Sequence, residues 1–187
     1  MRTSGFVSTV VTGLALLASS SAAPTTTENC KTGEPDRAYK EAIAVNYINS
    51  WNGDFDLGPQ VFAPDVHLYQ DRYPTKDGVV EIPVNSQEEF TDFQRRAHDS
   101  WNSYMFERVR VSIDGLNVVI RYKQRGIMGP NFSPSILTTL KEGQATTYNG
   151  TDWLQLDPCS WLIKQVDSSQ DLITYSYILG LPDIKLH

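Results

Sequence analysis

Cysteine is nearly absent from this 187-residue chain, which has only Cys30 and Cys159. With no C-x-x-C pair, neither thiol reads as a redox catalyst or as part of a zinc knuckle. Histidine is almost as scarce: His67, His98 and His187 have no metal-ligand spacing, and H-E-x-x-H does not occur. The chain also lacks G-x-S-x-G, a phosphate loop and a dinucleotide fingerprint, so it offers no signature of a serine hydrolase, a nucleotide enzyme or a redox cofactor. No cofactor or metal is implied. Basic residues are outnumbered, 16 Lys and Arg against 22 Asp and Glu, for a net charge of −6. Arg95-Arg96 and the pair Arg108 and Arg110 are too sparse to form a phosphate-tracking surface, and read as solvated faces or local ion pairs. Nucleic acid is therefore not an expected partner.

Long apolar runs are missing too. The best one, Phe6 to Ala18, is broken by Ser, Thr and Gly and falls short of the roughly 20 residues that a membrane span requires. It follows Met1-Arg2 and leads into Ser19-Ser20-Ser21-Ala22-Ala23, so residues 1–22 read as a secretory signal cleaved after Ala22, and 23–35 as a flexible tail. One domain is expected over 36–187, since single domains most often hold roughly 100 to 150 residues and can be longer. Secretion to the extracellular space fits two glycosylation acceptor triplets, at Asn131 and Asn149, although Pro134 can hinder the first. In an oxidising compartment Cys30 and Cys159 can join in a disulfide; the alternative is one buried thiol and one intermolecular bridge.

Apolar spacing and caps divide the domain. Ala38, Ala42, Val45, Ile48 and Trp51 recur at helical spacing after Asp36, a suitable N-cap, and Gly53 stops the helix. A short helical or turn segment is expected over Leu57 to Phe62, then a strand over Val66 to Tyr69. Ser86-Gln87-Glu88-Glu89 is a capping box, followed by the stripe Phe90, Phe93, Ala97 and Trp101. The period then changes to two. Met105 to Ile113 and Leu116 to Tyr122 read as a hairpin about Asp114-Gly115, with further strands over Gln144 to Leu156, Trp161 to Val166 and Leu172 to Leu179. Helices gathered early and strands gathered late indicate an α+β domain in which a curved antiparallel sheet wraps the helices. The stretch from Gly126 to Gly143 is long enough to cover a pocket mouth.

The segments "NYINSWNGD", "VFAPDVHLYQD", "VVIRYKQRG", "NGTDWLQLD" and "ITYSYI" follow one another in an order that resembles the SnoaL-like branch of the nuclear-transport-factor-2-like superfamily. The resemblance spans Asp36 to Gly180. It implies a cone-shaped sheet folded over helices around an apolar cavity. Members include polyketide cyclases, ketosteroid isomerase, scytalone dehydratase and proteins that only bind, and many pair through the outer face of the sheet, so a homodimer is compatible. The implied function is cofactor-independent cyclisation, isomerisation or dehydration of an apolar, ring-containing or polyketide-like molecule; the alternative is an extracellular binding protein or secreted effector holding an apolar metabolite or lipid.

The same resemblance singles out residues. Tyr47, one turn before the end of the first helix, matches the tyrosine that donates to a substrate oxyanion in the isomerase branch. Asp152 matches an acid kept protonated there as a second donor. The catalytic base of that branch falls on Gln70, which cannot take a proton from carbon, leaving Asp71 and His67 as proton carriers if a bulge re-aims them; Tyr69 shares their phase. Trp101, Arg121, Trp153, Tyr175 and Tyr177 complete the expected substrate-binding set. Other readings stay open: Tyr47 as a core tyrosine, Asp152 as a turn cap or partner of Arg121, His67 as a surface histidine, and His98 as exposed or at a rim. Recovered from the medium of a secreting host, the chain is expected to begin at Ala23 by N-terminal sequencing; an intact Met1 would exclude the signal reading.

Overall fold

The computed structural model describes residues 30–72, 84–131 and 138–180. The signal expected over 1–22, His187, and Phe132 and Ser133 of the first acceptor triplet lie outside the described residues. The first helix, α1, covers Arg37–Trp51 and starts where Asp36 accepts a hydrogen bond from the Tyr39 amide at 2.7 Å. Its buried face is Ile43, Ala44, Tyr47, Ile48 and Trp51, while Ala38, Ala42 and Val45 of the expected stripe lie exposed. The larger side chains have more apolar surface to remove from water and set the helix's rotation. A 3-10 turn, Phe55–Leu57, and a four-residue helix α2, Gly58–Val61, lead into strand β1, Phe62–Gln70. Helix α3, Gln87–Asp99, opens on the expected box: Ser86 Oγ accepts from the Glu89 amide, and Glu89 Oε2 from the Asn85 amide. It ends before Trp101, which instead begins strand β2, Trp101–Asp114.

Strands β3, Asn117–Met128, β4, Ala145–Leu156, and β5, Ile163–Gln170, follow. The sheet runs β1-β5-β4-β3-β2 and is mixed, because β1 joins β5 in parallel while the other pairs are antiparallel. The expected α+β architecture holds, with this one parallel edge. The stretch expected as a loop from Gly126 to Gly143 begins as strand, since β3 runs through Gly126, Ile127 and Met128.

The expected last strand, Leu172 to Leu179, is instead helix α4, Leu172–Ile178. Alternating Ile, Tyr and Tyr suggested period two, but Asp171 accepts a hydrogen bond from the Thr174 amide at 3.0 Å and caps a helical turn. Strand β5 is also already paired on both sides, to β1 and β4. Chain leaving its end packs against β4 as a helix, burying Ser176.

The inner sheet face changes character along the strands. Val118 and Ile120 of β3, Leu154 and Leu156 of β4, and Ile163 and Val166 of β5 pack solidly against α1 residues and Phe62 in one core. Farther along, the inward positions become Tyr122 and Gln124, then Tyr148, Gly150 and Asp152, then Ser168. Cys30 and Cys159 are joined, with Cα atoms 4.4 Å apart, closing a loop of 129 positions. Lys31 reinforces the closure: its amide donates to Cys159 O at 3.0 Å, and its ammonium lies 4.9 Å from the Trp161 ring centre. Cross-linking so distant a pair removes much of the unfolded chain's freedom. The C30S/C159S variant is expected to lose about 2–4 kcal/mol in denaturant unfolding; an unchanged midpoint would show that this closure does not hold the domain.

Candidate functional site

The row of the sheet in which apolar side chains give way to polar ones is fixed by register. Asp152 stands opposite Ile120 on one side and Ser168 on the other, and Ser168 stands opposite Gln70. Beyond Asp152, a cavity of about 310 Å³ opens between the sheet, α3 and α4. Gln70, Asp152 and Ser168 line its inner part together with Trp51, Phe106 and Tyr122. Phe93, Arg96, Ala97 and Ser100, at helical spacing on or just after α3, line one side, and Tyr104, Tyr148 and Tyr175 extend the aromatic wall.

Asp152 is 3% exposed. Tyr47 donates a hydrogen bond to its Oδ2 at 2.7 Å, from a position behind the cavity wall, and Oδ1 has no hydrogen-bond partner. Burial raises the pKa of Asp152 from 3.8 to about 6, although the hydroxyls of Ser168, Tyr47 and Tyr122 favour the charged form. At neutral pH the group is thus mostly a carboxylate. The phenols around it hold their protons. Burial, then the Asp152 charge, push Tyr47 well above its usual range; Tyr122 is raised for the same reasons; burial pushes Tyr104 up to about 12. Gly150 makes the arrangement possible, because a Cβ there would lie 2.2 Å from the Tyr122 hydroxyl. Trp51 Nε1, also buried, lies near the Tyr47 hydroxyl, so the indole belongs to the same polar cluster behind the cavity wall.

The structure brings Tyr47, Asp152, Gln70, Asp71, Trp101 and Tyr175 to the cavity or directly behind it. It does not bring His67, Tyr69, Arg121, Trp153 or Tyr177 there. The strand alternation that buries Val66 and Leu68 turns His67 toward Asn85, 3.0 Å away, and leaves Tyr69 57% exposed. The irregularity in β1 lies between Phe62 and His67, upstream of where it would re-aim Asp71. Asp71 sits past the strand end, exposed at the mouth, with Ser169 Oγ donating to its Oδ2 at 2.7 Å.

Arg121 and Trp153 alternate with inward residues and take the outer face. There Arg121 reaches Thr151, not Asp152, and Trp153 Nε1 donates to Asn117 Oδ1. Tyr177 is 61% exposed because α4 places it away from Tyr175's inward side. His98 is half-buried against Trp51 O at 2.7 Å. Asn131 is exposed, and Asn149 is half-buried on β4. Sequence reasoning missed Arg72, Arg96, Tyr104, Tyr122, Tyr148 and Ser168 as lining residues. Only the helical spacing from Phe93 through Ala97 signalled any of them, Arg96 beside it.

No protein-family model matches the chain, and no curated protein matches it in sequence. Solved structures do match in fold. TsrD from Streptomyces laurentii superposes with a TM-score of 0.62 at 16% identity, over 79% of this chain and 99% of that one. A protein classed as a SnoaL-like polyketide cyclase, from Jannaschia sp. CCS1, gives 0.61 at 13% identity over 81% and 99%. The chain has the SnoaL-like fold. An LEH-like epoxide hydrolase from M. tuberculosis shares it at a TM-score of 0.57 and 13% identity, over 78% of this chain and 92% of the hydrolase. The SnoaL-like fold thus accounts for the cone of helices and sheet, and among the described residues no helix is long and apolar enough to cross a membrane.

The buried acid has a measurable signature. Its folded-state pKa, about 6, exceeds the ordinary 3.8, so its contribution to stability is complete below about pH 4 and is lost as pH rises through 6. A D152N variant keeps an acceptor for Tyr47 and has no such titration. Its stability relative to the parent is expected to rise by about 3 kcal/mol between pH 4 and pH 7.5 in denaturant unfolding. A difference that stays flat with pH would mean that Asp152 is not held above its ordinary range.

Proposed function

We propose that the chain is a secreted, cofactor-independent enzyme that moves a proton on a ring-containing or polyketide-like molecule, with Asp152 as the general base. One observation carries this reading: a carboxylate buried in an aromatic cavity, held on one oxygen by Tyr47 and flanked by the Ser168 and Tyr122 hydroxyls. A base with a pKa near the working pH is well matched to proton transfer. Asp152 would take the proton from a carbon next to a ring carbonyl. The bonding pair moves into the carbonyl, and the resulting enolate oxygen accepts hydrogen bonds from the protonated tyrosines of the wall. Return of the proton from Asp152 at another carbon completes an isomerisation; its delivery to a departing β-hydroxyl, which leaves as water, completes a dehydration; attack of the enolate carbon on a second carbonyl closes a ring, the new alkoxide taking the proton back from Asp152.

In this scheme Tyr47 is a positioning residue. Its hydroxyl is engaged by Asp152, so it orients the base and does not bind the enolate. Fold likeness to a structure classed as a polyketide cyclase supports the substrate class, and the disulfide supports an extracellular setting. A second reading, a binding protein for an apolar metabolite, is favoured by Gln70, an amide that lines the cavity in Asp152's row.

Hydrogen–deuterium exchange separates the two without knowledge of the substrate. In D₂O at pH 7, the protein is expected to accelerate exchange at the α-carbon of 2-tetralone, followed by NMR, and D152N to lose about 10² to 10⁴-fold of that acceleration. Exchange at the buffer rate, with 2-tetralone bound, would sink the enzymatic reading and leave the binding one.

A further inference from the structure

The cavity mouth carries charge that general acid-base chemistry does not use. Arg72, just past the end of β1, and Arg96, in the last turn of α3, both line it. The ion pairs among the described residues are Arg37 with Glu41, Lys40 with Glu34, Arg95 with Asp92, and Arg125 with Glu107; neither mouth arginine belongs to one. Arg95 makes the contrast within one helix. It donates to Asp92 at 3.2 Å and lies over Phe55, away from the cavity, whereas its neighbour Arg96 faces the opening. The guanidinium of Arg72 lies 5.7 Å from the Phe93 ring centre, against the cavity wall. Asp71, the carboxylate at the mouth, has one oxygen engaged by Ser169.

These two arginines matter more because the chain as a whole is acidic, at −6. An anion approaching this protein meets a repelling average field, and two unpaired guanidiniums at an aromatic opening provide a local exception to it. At the inner end the sign reverses, with the Asp152 carboxylate favouring a neutral proton donor over a second anion. The cavity is therefore polarised along its depth: negative floor, aromatic walls, positive mouth. Resting on the reading of this cavity as the ligand site, we propose that its ligand is an aromatic acid, bound with the ring system inside and its anionic group outward between Arg72 and Arg96. Guanidinium groups recognise carboxylates through charge-assisted, frequently paired hydrogen bonds, and the wall supplies flat surfaces for rings.

Calorimetric titration with 2-naphthoate and 2-naphthamide, which share ring system and shape and differ in charge, tests this. The protein is expected to bind the acid about tenfold more tightly than the amide. The R72Q/R96Q variant should bring that ratio close to one while leaving amide affinity within about twofold, and R95Q should preserve it. Equal affinities in the parent, a preference that survives R72Q/R96Q, or an equal loss in R95Q would overturn the proposal while the cavity reading stands. Failure of both probes to bind would overturn the proposal and the cavity reading beneath it.

Discussion

The hydrogen bond from Tyr47 to Asp152 is the constraint around which the rest is arranged. It joins α1, one turn from its end, to β4 through two residues 105 positions apart in the chain, and it does so where both side chains are buried. A carboxylate buried in this way is costly unless donors meet it. The fold supplies Tyr47 from the helix, with the Ser168 and Tyr122 hydroxyls close by on the neighbouring strands. Such a group lining a cavity, and not sealed in the packed core, is why the residue reads as a working group.

The position of that acid follows from the sheet. One half of the inner face is aliphatic packing, continuous with the aromatic side chains of the other half. The other half carries aromatic and polar side chains that do not fill space completely. Asp152 sits on the boundary, deep enough to be desolvated by the packed half and near enough to the open half to meet a ligand. The polar ending of β1 has the same cause: Val66 and Leu68 belong to the packed half, and Gln70 falls in the row of Asp152 and Ser168 where the cavity begins.

What could be read from residues alone was the local chemistry. Asp36 and Ser86 cap their helices by accepting from amides three residues on, an interaction written in a few consecutive letters. Asp114-Gly115 likewise makes its hairpin, with Gly115 at φ 54°. Alternation on β3 and β4 was equally plain, yet which phase faced inward was settled only by the helices packed on it, and Trp153 and Arg121 fell on the outer side. Helix α4 was misread because Ile173, Tyr175 and Tyr177 alternate as convincingly as strand residues do; its cap, Asp171 with Thr174, is as short-range as the others but was outweighed by the pattern. Arg72 and Arg96 were illegible for a different reason. They lie on separate elements, and nothing in "QDRY" or "FQRRAH" tells that the two guanidiniums face one opening.

In the proposed reading the two mouth arginines and the Asp152 carboxylate act together on one ligand. The aromatic walls lower the local dielectric toward the buried end, so fixed charges at the two ends act on whatever lies between them. A guest held outward by its anionic end would be fixed in direction, and the carbon or hydroxyl farthest from that end would be the one presented to Asp152. Orientation of this kind is a large part of what a site without metal or cofactor can contribute, because a positioned base acts on one proton of many. The aromatic walls alone would hold a ring in several poses. Opposed charges at mouth and floor would select among them, and in the proposed reading they connect an anion held by Arg72 and Arg96 to a proton taken by Asp152.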